Sequence, residues 1–269
     1  MQSPIEFRKV WALTKRDIYN WSTYKSQILT TVATSVIGIA AWGVNADYRN
    51  ISVPQYGTDY VSFLIVGILV TNLVLPLGSG VQKQLNPWTL ETILMTGIKT
   101  PTFVLGTSLW TYILSVLLFL PQVYLGVYVF GAHLVINYVS LVVSILISSL
   151  IIFCLAMIST GIRIVTKVTD PITWGLAMAA SLLSGMTYPV SQLNNYIPGL
   201  STVSWLLPQT WIYHIVRLST LEGGSLLNSQ IAIPVLITFG FALALVPIAV
   251  VVYRWGLNRA KKDGTLGWY

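Results

Sequence analysis

Leu183–Arg217 reads LSGMTYPVSQLNNYIPGLSTVSWLLPQTWIYHIVR, an apolar run broken by Gly185, Pro189, Pro198, Gly199 and Pro208 and closed by a lone Arg217. It is too interrupted for one spanning helix and too apolar for an ordinary loop. Lipid tolerates irregular backbone only where protein or a wet cavity satisfies its polar groups. The stretch therefore points to a re-entrant element that lines or caps a passage; the competing reading is a long, poorly structured outer loop.

The rest of the chain sets the context for that element. Of its 269 residues 55% are hydrophobic and 9% charged, against about 25% charged in a typical soluble domain. Too little charge is present to cover a soluble surface, so an all-α integral membrane protein in a single domain, residues 1–269, is expected. A spanning helix needs about twenty apolar residues at about 1.5 Å each. Six segments qualify: Ser26–Val44, Tyr60–Val81, Thr102–Phe130, Tyr138–Thr160, Pro171–Met186 and Ser229–Tyr253. The third exceeds what a bilayer requires and is expected to tilt, or to kink at Pro121. The fifth is short and runs straight into the broken hairpin, which occupies about 187–212.

Charge gives the orientation. With the N-terminus inside, the inner segments carry Arg8, Lys9, Lys15, Arg16, Lys25, Lys83, Lys99, Arg163, Lys167, Arg254, Arg259, Lys261 and Lys262, leaving only Arg49 and Arg217 outside. This bias predicts a multi-pass protein of the cell (plasma) membrane with both termini cytoplasmic. It also accounts for the net charge of +7 through anionic headgroups, with no nucleic acid as partner. Residues 1–25 lack a small-residue cleavage site and an unbroken apolar core, so no signal peptide is expected. Phe7, Val10, Trp11, Ile18 and Trp21 fall at helical spacing, with Arg8, Lys9, Lys15 and Arg16 on other faces. That pattern suits an amphipathic interfacial helix.

The six spans contain no Asp, Glu, Lys, Arg or His. Ion-coupled carriers hold their coupling ion with such groups, and a membrane enzyme needs a clustered acid, base, nucleophile or metal site. Here the eight acidic residues are scattered singly, and two histidines and one cysteine (Cys154, a small apolar filler) do not make a metal centre. No phosphate-cradling G-x-x-x-x-G-K-[ST] loop occurs. The chain is therefore expected not to be an enzyme and to carry no catalytic, metal or cofactor site. It can still move a substrate if another protein supplies the work.

A surface to receive that work is offered between the second and third spans. Asn86-Pro87 resembles a helix start, and Gly97 and Pro101 supply the stop. Between them Trp88, Ile93 and Leu94 make an apolar ridge beside Glu91. Such a helix, about 87–97, suits insertion into a partner's groove or rests on headgroups; the residues allow both.

Thr89-Leu90-Glu91, Ile93-Leu94-Met95-Thr96 and Val104-Leu105-Gly106 together are similar to the first signature of the ABC type 2 (ABC-2) transporter permeases. Ser184, Gly185, Pro189, Leu193, Pro208, Thr210 and Arg217 resemble the family's second signature, and Ala12–Asp17 its opening interfacial helix. Trp88 stands where the family often has Gly, Thr107 where it often has Lys, and Asn194 where Pro follows Leu; Lys83-Gln84 replaces a frequent Arg-Glu.

The resemblance implies a transmembrane permease subunit of an ABC exporter. Its partners would be a second permease copy (identical or similar), two copies of a cytoplasmic ATPase (nucleotide-binding) subunit that bind the ATP and Mg, and membrane lipid. The 87–97 helix would be the coupling helix, with Pro87, Trp88, Leu90, Glu91 and Leu94 as ATPase contacts. The hairpin would close the path outside, with Gly185, Tyr188, Pro189, Tyr196, Trp205, Pro208 and Trp211 as gate residues; aromatics at that depth equally serve as interface anchors. The first and fifth spans would line the route through Thr34, Ser35, Gly38, Thr173, Ala177 and Ser181, residues that packing between protomers explains as well. An uncharged lining suits a hydrophobic or amphipathic cargo (drug, antibiotic or lipid-like). Export of a polysaccharide or lipid-linked glycan, and a membrane assembly protein without transport, are the alternatives.

Overall fold

The computed structural model describes residues 3–47, 52–74, 98, 100–166, 178 and 181–263. Its helices are α1 (Ser3–Thr23), α2 (Lys25–Asp47), α3 (Tyr60–Val74), α4 (Thr100–Tyr124), α5 (Tyr138–Thr166), α6 (Leu200–Trp205), α7 (Pro208–Thr220) and α8 (Ser229–Lys262). A two-residue antiparallel pair, β1 (Ser52–Val53) and β2 (Thr58–Asp59), leads into α3. Three stretches are long and apolar enough to cross a membrane: Ser108–Val129, Tyr138–Thr166 and Ser229–Ala260. The α1–α2 pair, bent by 87°, would make a fourth. Their outward faces are apolar too: Val142 and Leu146 on α5, and Leu236 and Leu243 on α8, are all exposed. An exposed apolar girdle of this kind calls for lipid or protein cover. The chain is an all-α protein built for a membrane.

The helices run between two ends. At one end α1 lies across the start of α4, where the Thr14 hydroxyl donates to the Gly106 carbonyl at 3.2 Å. Leu13 joins Ile164, Tyr253, Leu257 and Ala260 there, so α5 and α8 finish beside α1. At the other end Gly43, late in α2, meets the Phe130 ring just past α4. The same end holds the His133 amide on the Ser62 hydroxyl (2.8 Å), and the Val135 and Asn137 amides on the Thr220 and Ser219 carbonyls (both 2.9 Å). Hence α2 and α4 lead away from the α1 end, while α3, α5 and α8 return to it. α5 and α8 are consequently parallel neighbours. Their closest approach is at Gly161 and Gly256, where a Cβ on Gly161 would stand 2.7 Å from the Val252 carbonyl. Small residues permit such approach of backbones.

Helix starts follow from capping side chains. Asp59 accepts from the Ser62 amide at 3.1 Å, Asn137 from the Ser140 amide at 3.2 Å, and Asn228 from the Gln230 amide at 3.2 Å; each satisfies an amide that the first turn leaves free. α3 is apolar on all sides, and Ser62 through Val70 are all buried against α2, α4, α5 and α7. A helix without a polar face belongs at the centre.

Several boundaries differ from the sequence expectation. The sixth apolar segment ends at Tyr253, yet α8 continues to Lys262; apolarity stops at Arg254, but backbone hydrogen bonding does not. α4 runs on through Pro121, and its irregularity comes one turn later as a π turn, Leu125–Val129. The proline ring removes the donor that would bond the carbonyl four residues back, and the wider turn seats Gly126 against Ile65. Beside it Asn72 donates to the Gln122 side-chain carbonyl at 3.0 Å, with Gln122 only 2% exposed. In α1, Leu13 and Thr14 face the bundle whereas Trp11 points out. Residues 75–81 of the second expected span, most of the fifth (171–177, 179–180) and the whole of 87–97 lie outside the described residues.

Among the described residues, Arg8, Lys9, Lys15, Arg16, Lys25, Arg163, Arg254, Arg259, Lys261 and Lys262 all sit on elements at the α1 end. The described basic residue of the opposite end is Arg217, and it is buried.

Candidate functional site: the broken hairpin and its arginine

Residues 181–183 are helical, and the chain then leaves the helical path through buried Ser184 and Gly185. Gly185 takes φ +73°, and a Cβ on it would fall 2.6 Å from Val190 Cγ2. A side chain is excluded there both by backbone conformation and by space. Extended Pro189 precedes a short 3-10 helix, Val190–Asn195, and Gly199 at φ +84° turns the chain into α6. Pro208 occupies the first turn of α7, where its missing N–H costs nothing. The glycines and prolines that break the apolar run are therefore its turns.

Two tryptophans close the turn between α6 and α7. Trp211 Nε1 donates to the Trp205 carbonyl at 2.8 Å, the rings are 4.8 Å apart, and the Thr210 hydroxyl donates to the Ser204 carbonyl at 2.6 Å. The His214 ring stands edge-on to Trp205 at 5.2 Å and bonds the Tyr56 hydroxyl through Nδ1 at 2.9 Å. Burial raises the Tyr56 phenol above its ordinary pKa, with the nearby Arg217 charge opposing. The hairpin is tied to the β1–β2 region and to α3: Tyr60 Oη donates to the Thr187 carbonyl at 2.9 Å, and the Ser191 hydroxyl to Gln55 at 3.2 Å.

Arg217 stands at the root of this assembly, 2% exposed. Its Nη1 donates to the Gly185 carbonyl at 2.6 Å and its Nη2 to the Met186 carbonyl at 2.5 Å, with a longer contact to the Phe63 carbonyl at 3.4 Å. The guanidinium carbon lies 3.6 Å from the centre of the Phe63 ring. Gly67, one turn along α3, leaves the room for both partners: a Cβ there would run into the Met186 carbonyl and stand 2.7 Å from Arg217 Nη2. The charge is thus met by carbonyl dipoles past a helix end and by an aromatic face. Among the described residues no carboxylate pairs with it, and Glu222 is exposed. Arg217 thus binds the carbonyl end where the helical path stops, and it is neither paired with Glu222 nor solvated.

The sequence-derived residues fall into three groups. Gly185, Pro189 and Pro208 shape the hairpin, and Trp205 and Trp211 come together in it. Tyr188 is half-buried and Tyr196 is 84% exposed, both apart from the tryptophan pair. Of the path-lining set, Thr34 is exposed with its hydroxyl on the Thr30 carbonyl (2.8 Å), Gly38 has open space where a Cβ would be, and Ser181 is exposed with its hydroxyl on the Met178 carbonyl (2.8 Å). Thr173, Ala177, the side chain of Ser35, and Pro87, Trp88, Leu90, Glu91 and Leu94 lie outside the described residues. Phe63, Gly67, Tyr56 and His214 were not singled out from sequence. A cation inside an apolar stretch is the signal that could have prompted a search for aromatic faces around it.

Between the β1–β2 turn and His133 an open hollow of about 490 Å³ is lined by Val53, Pro54, Gly57, Thr58, Asp59 and His133. Both Asp59 oxygens are already engaged by Ser62. No protein-family model matches the chain, and no curated protein matches it.

Proposed function

We propose that the chain is the membrane-embedded permease subunit of an ATP-driven ABC-2 type exporter for a hydrophobic or amphipathic molecule. The observation that carries the reading is a hairpin of short helices, rooted on buried Arg217, at the end of the bundle opposite the other described basic residues. In that reading the α1 end is cytoplasmic and the hairpin closes the path outside. Six crossings are supported by helix direction: α5 and α8 both run toward the α1 end, so the chain between Thr166 and the end of α7 must travel back. α2, α3 and α4 supply the first three passes. The uncharged spans leave no place for a coupling ion, which throws the work onto a partner. The 87–97 segment, with Trp88 and Glu91, is the proposed docking helix for that partner.

Purification of the tagged chain from native membranes tests this. A soluble subunit with a phosphate-binding loop is expected to co-purify with it, and repeated absence of one would favour an assembly role without transport. Glu91→Arg and Trp88→Ala are expected to leave the complex in the membrane but to separate ATP hydrolysis from export. Wild-type export by both variants would remove the docking assignment. ATP-driven closure acts on the permease only through contacts that differ between two states.

A further inference from the structure

We propose that Arg217 is the positioning residue of a latch that holds the broken hairpin against α3, and that the hairpin swings from its root when the guanidinium releases the Gly185 and Met186 carbonyls. The proposal rests on reading the hairpin as re-entrant, but not on the identity of any cargo or ATPase.

Three observations support it. One guanidinium gathers three separate parts of the chain: α7, which carries it; the backbone at 185–186, where the hairpin leaves its helix; and Phe63 with Gly67 on the buried α3. Beyond that root Pro189, Val190, Leu193 and Ser204 are buried and the Ser204 and Trp205 carbonyls bond α7, but the rest of the hairpin is open. Ser191, Gln192, Asn194 through Gly199, Thr202 and Val203 are exposed, and its described hydrogen-bond ties to the β1–β2 region and α3 are those from Tyr60 and Gln55. Finally, the cation is met by neutral groups alone among the described residues, backbone carbonyls as acceptors and the Phe63, Tyr56 and Tyr213 rings around them. A carboxylate would fix the charge through full Coulomb attraction in a poorly screened interior, whereas carbonyls are acceptors that water or a passing polar group can replace. The latch is therefore both specific in geometry and exchangeable.

Hydrogen exchange of the full chain in lipid nanodiscs, with no ATPase or nucleotide present, reads this directly. In the unmodified protein the amides of 190–205 are expected to open as one unit while α5 and α8 stay protected. Arg217→Gln is expected to speed exchange across 190–205 on the order of tenfold or more, with α5 and α8 unchanged. Gly67→Ala keeps the charge but crowds both halves of the latch, the Met186 carbonyl and the guanidinium, and is expected to give the same pattern; Arg217→Lys, a point charge that cannot fork to two carbonyls, falls between. Unchanged exchange in both Arg217→Gln and Gly67→Ala overturns the latch. Loss of protection in α5 and α8 together with the hairpin, or failure of both variants to fold, also overturns it, because Arg217 would then be a general core group. Failure of the ATPase to co-purify leaves these outcomes untouched, so the two proposals fail separately.

Discussion

The conformational demands of single residues are plainest at Gly185. Its backbone lies in the left-handed region, and the Val190 side chain occupies the space that a methyl group would need. Gly185→Ala is expected to cost about 1–2 kcal/mol for the left-handed backbone alone, with the Val190 contact adding to it. Thermal unfolding in detergent should show a lower Tm than wild type, and an unchanged Tm would mean that the turn has relaxed. Gly185, Gly199, Pro189 and Pro208 were legible as turns because each carries its instruction in its own covalent structure. Phe63 and Gly67 were not. They meet Arg217 across most of the chain, and nothing local in YVSFLIVG distinguishes a seat for a guanidinium from ordinary helix packing.

For elements, the start of α3 gives a pH dependence. Partial burial would by itself raise the Asp59 pKa, but hydrogen bonds from the Ser62 hydroxyl and amide, its own amide and the Thr58 hydroxyl together outweigh it and hold the carboxyl below its ordinary value. A carboxyl lowered on folding contributes stability that is present above its unfolded pKa, near about 4, and is lost as pH falls through the folded value. Acid titration of Tm should therefore show a component below about pH 4 that Asp59→Asn abolishes, while Asp59→Ala loses about 0.5–2 kcal/mol of cap at neutral pH. If Asp59→Asn and wild type titrate alike, the cap is not the acid-sensitive group. The α5–α8 pair offers a second test. Gly161 faces the Val252 carbonyl at a distance no side chain tolerates, so Gly161→Leu should separate the helices and cost about 1–3 kcal/mol as an overpacking change. A Tm within error of wild type would deny the close crossing. Helix existence was readable from apolar runs, since burial and spanning both require them. The true end of α8 was not, because a helix propagates through charged residues as readily as apolar ones once it emerges from the lipid.

Across the whole molecule, charge and helix direction agree. Apart from Arg217, the described basic residues gather where α1, the start of α4 and the ends of α5 and α8 meet, so that end is expected in the cytoplasm. In a Cys154→Ala background, Leu227→Cys, which is 97% exposed at the far end, should react with a membrane-impermeant maleimide on intact cells. Lys262→Cys should react only after permeabilisation. The reverse pattern would invert the molecule and place the hairpin inside. The gathering of basic residues at one end was open to sequence reasoning because loop charge is a sum over the chain. The parallel pairing of α5 with α8 was not, since many arrangements of six apolar segments satisfy the same hydropathy.

The extra residue wound into Leu125–Val129 governs how α2 is held. Compared with uninterrupted α-helix, a one-residue widening rotates every later side chain by roughly 100° about the axis. That offset brings Phe130 round onto Gly43, while Gly126 rests on Ile65. Excising a single amino acid from the wide turn would restore ideal winding and yet be disruptive: Phe130 would turn away from Gly43, and α2 would lose the ring packed on its far tip.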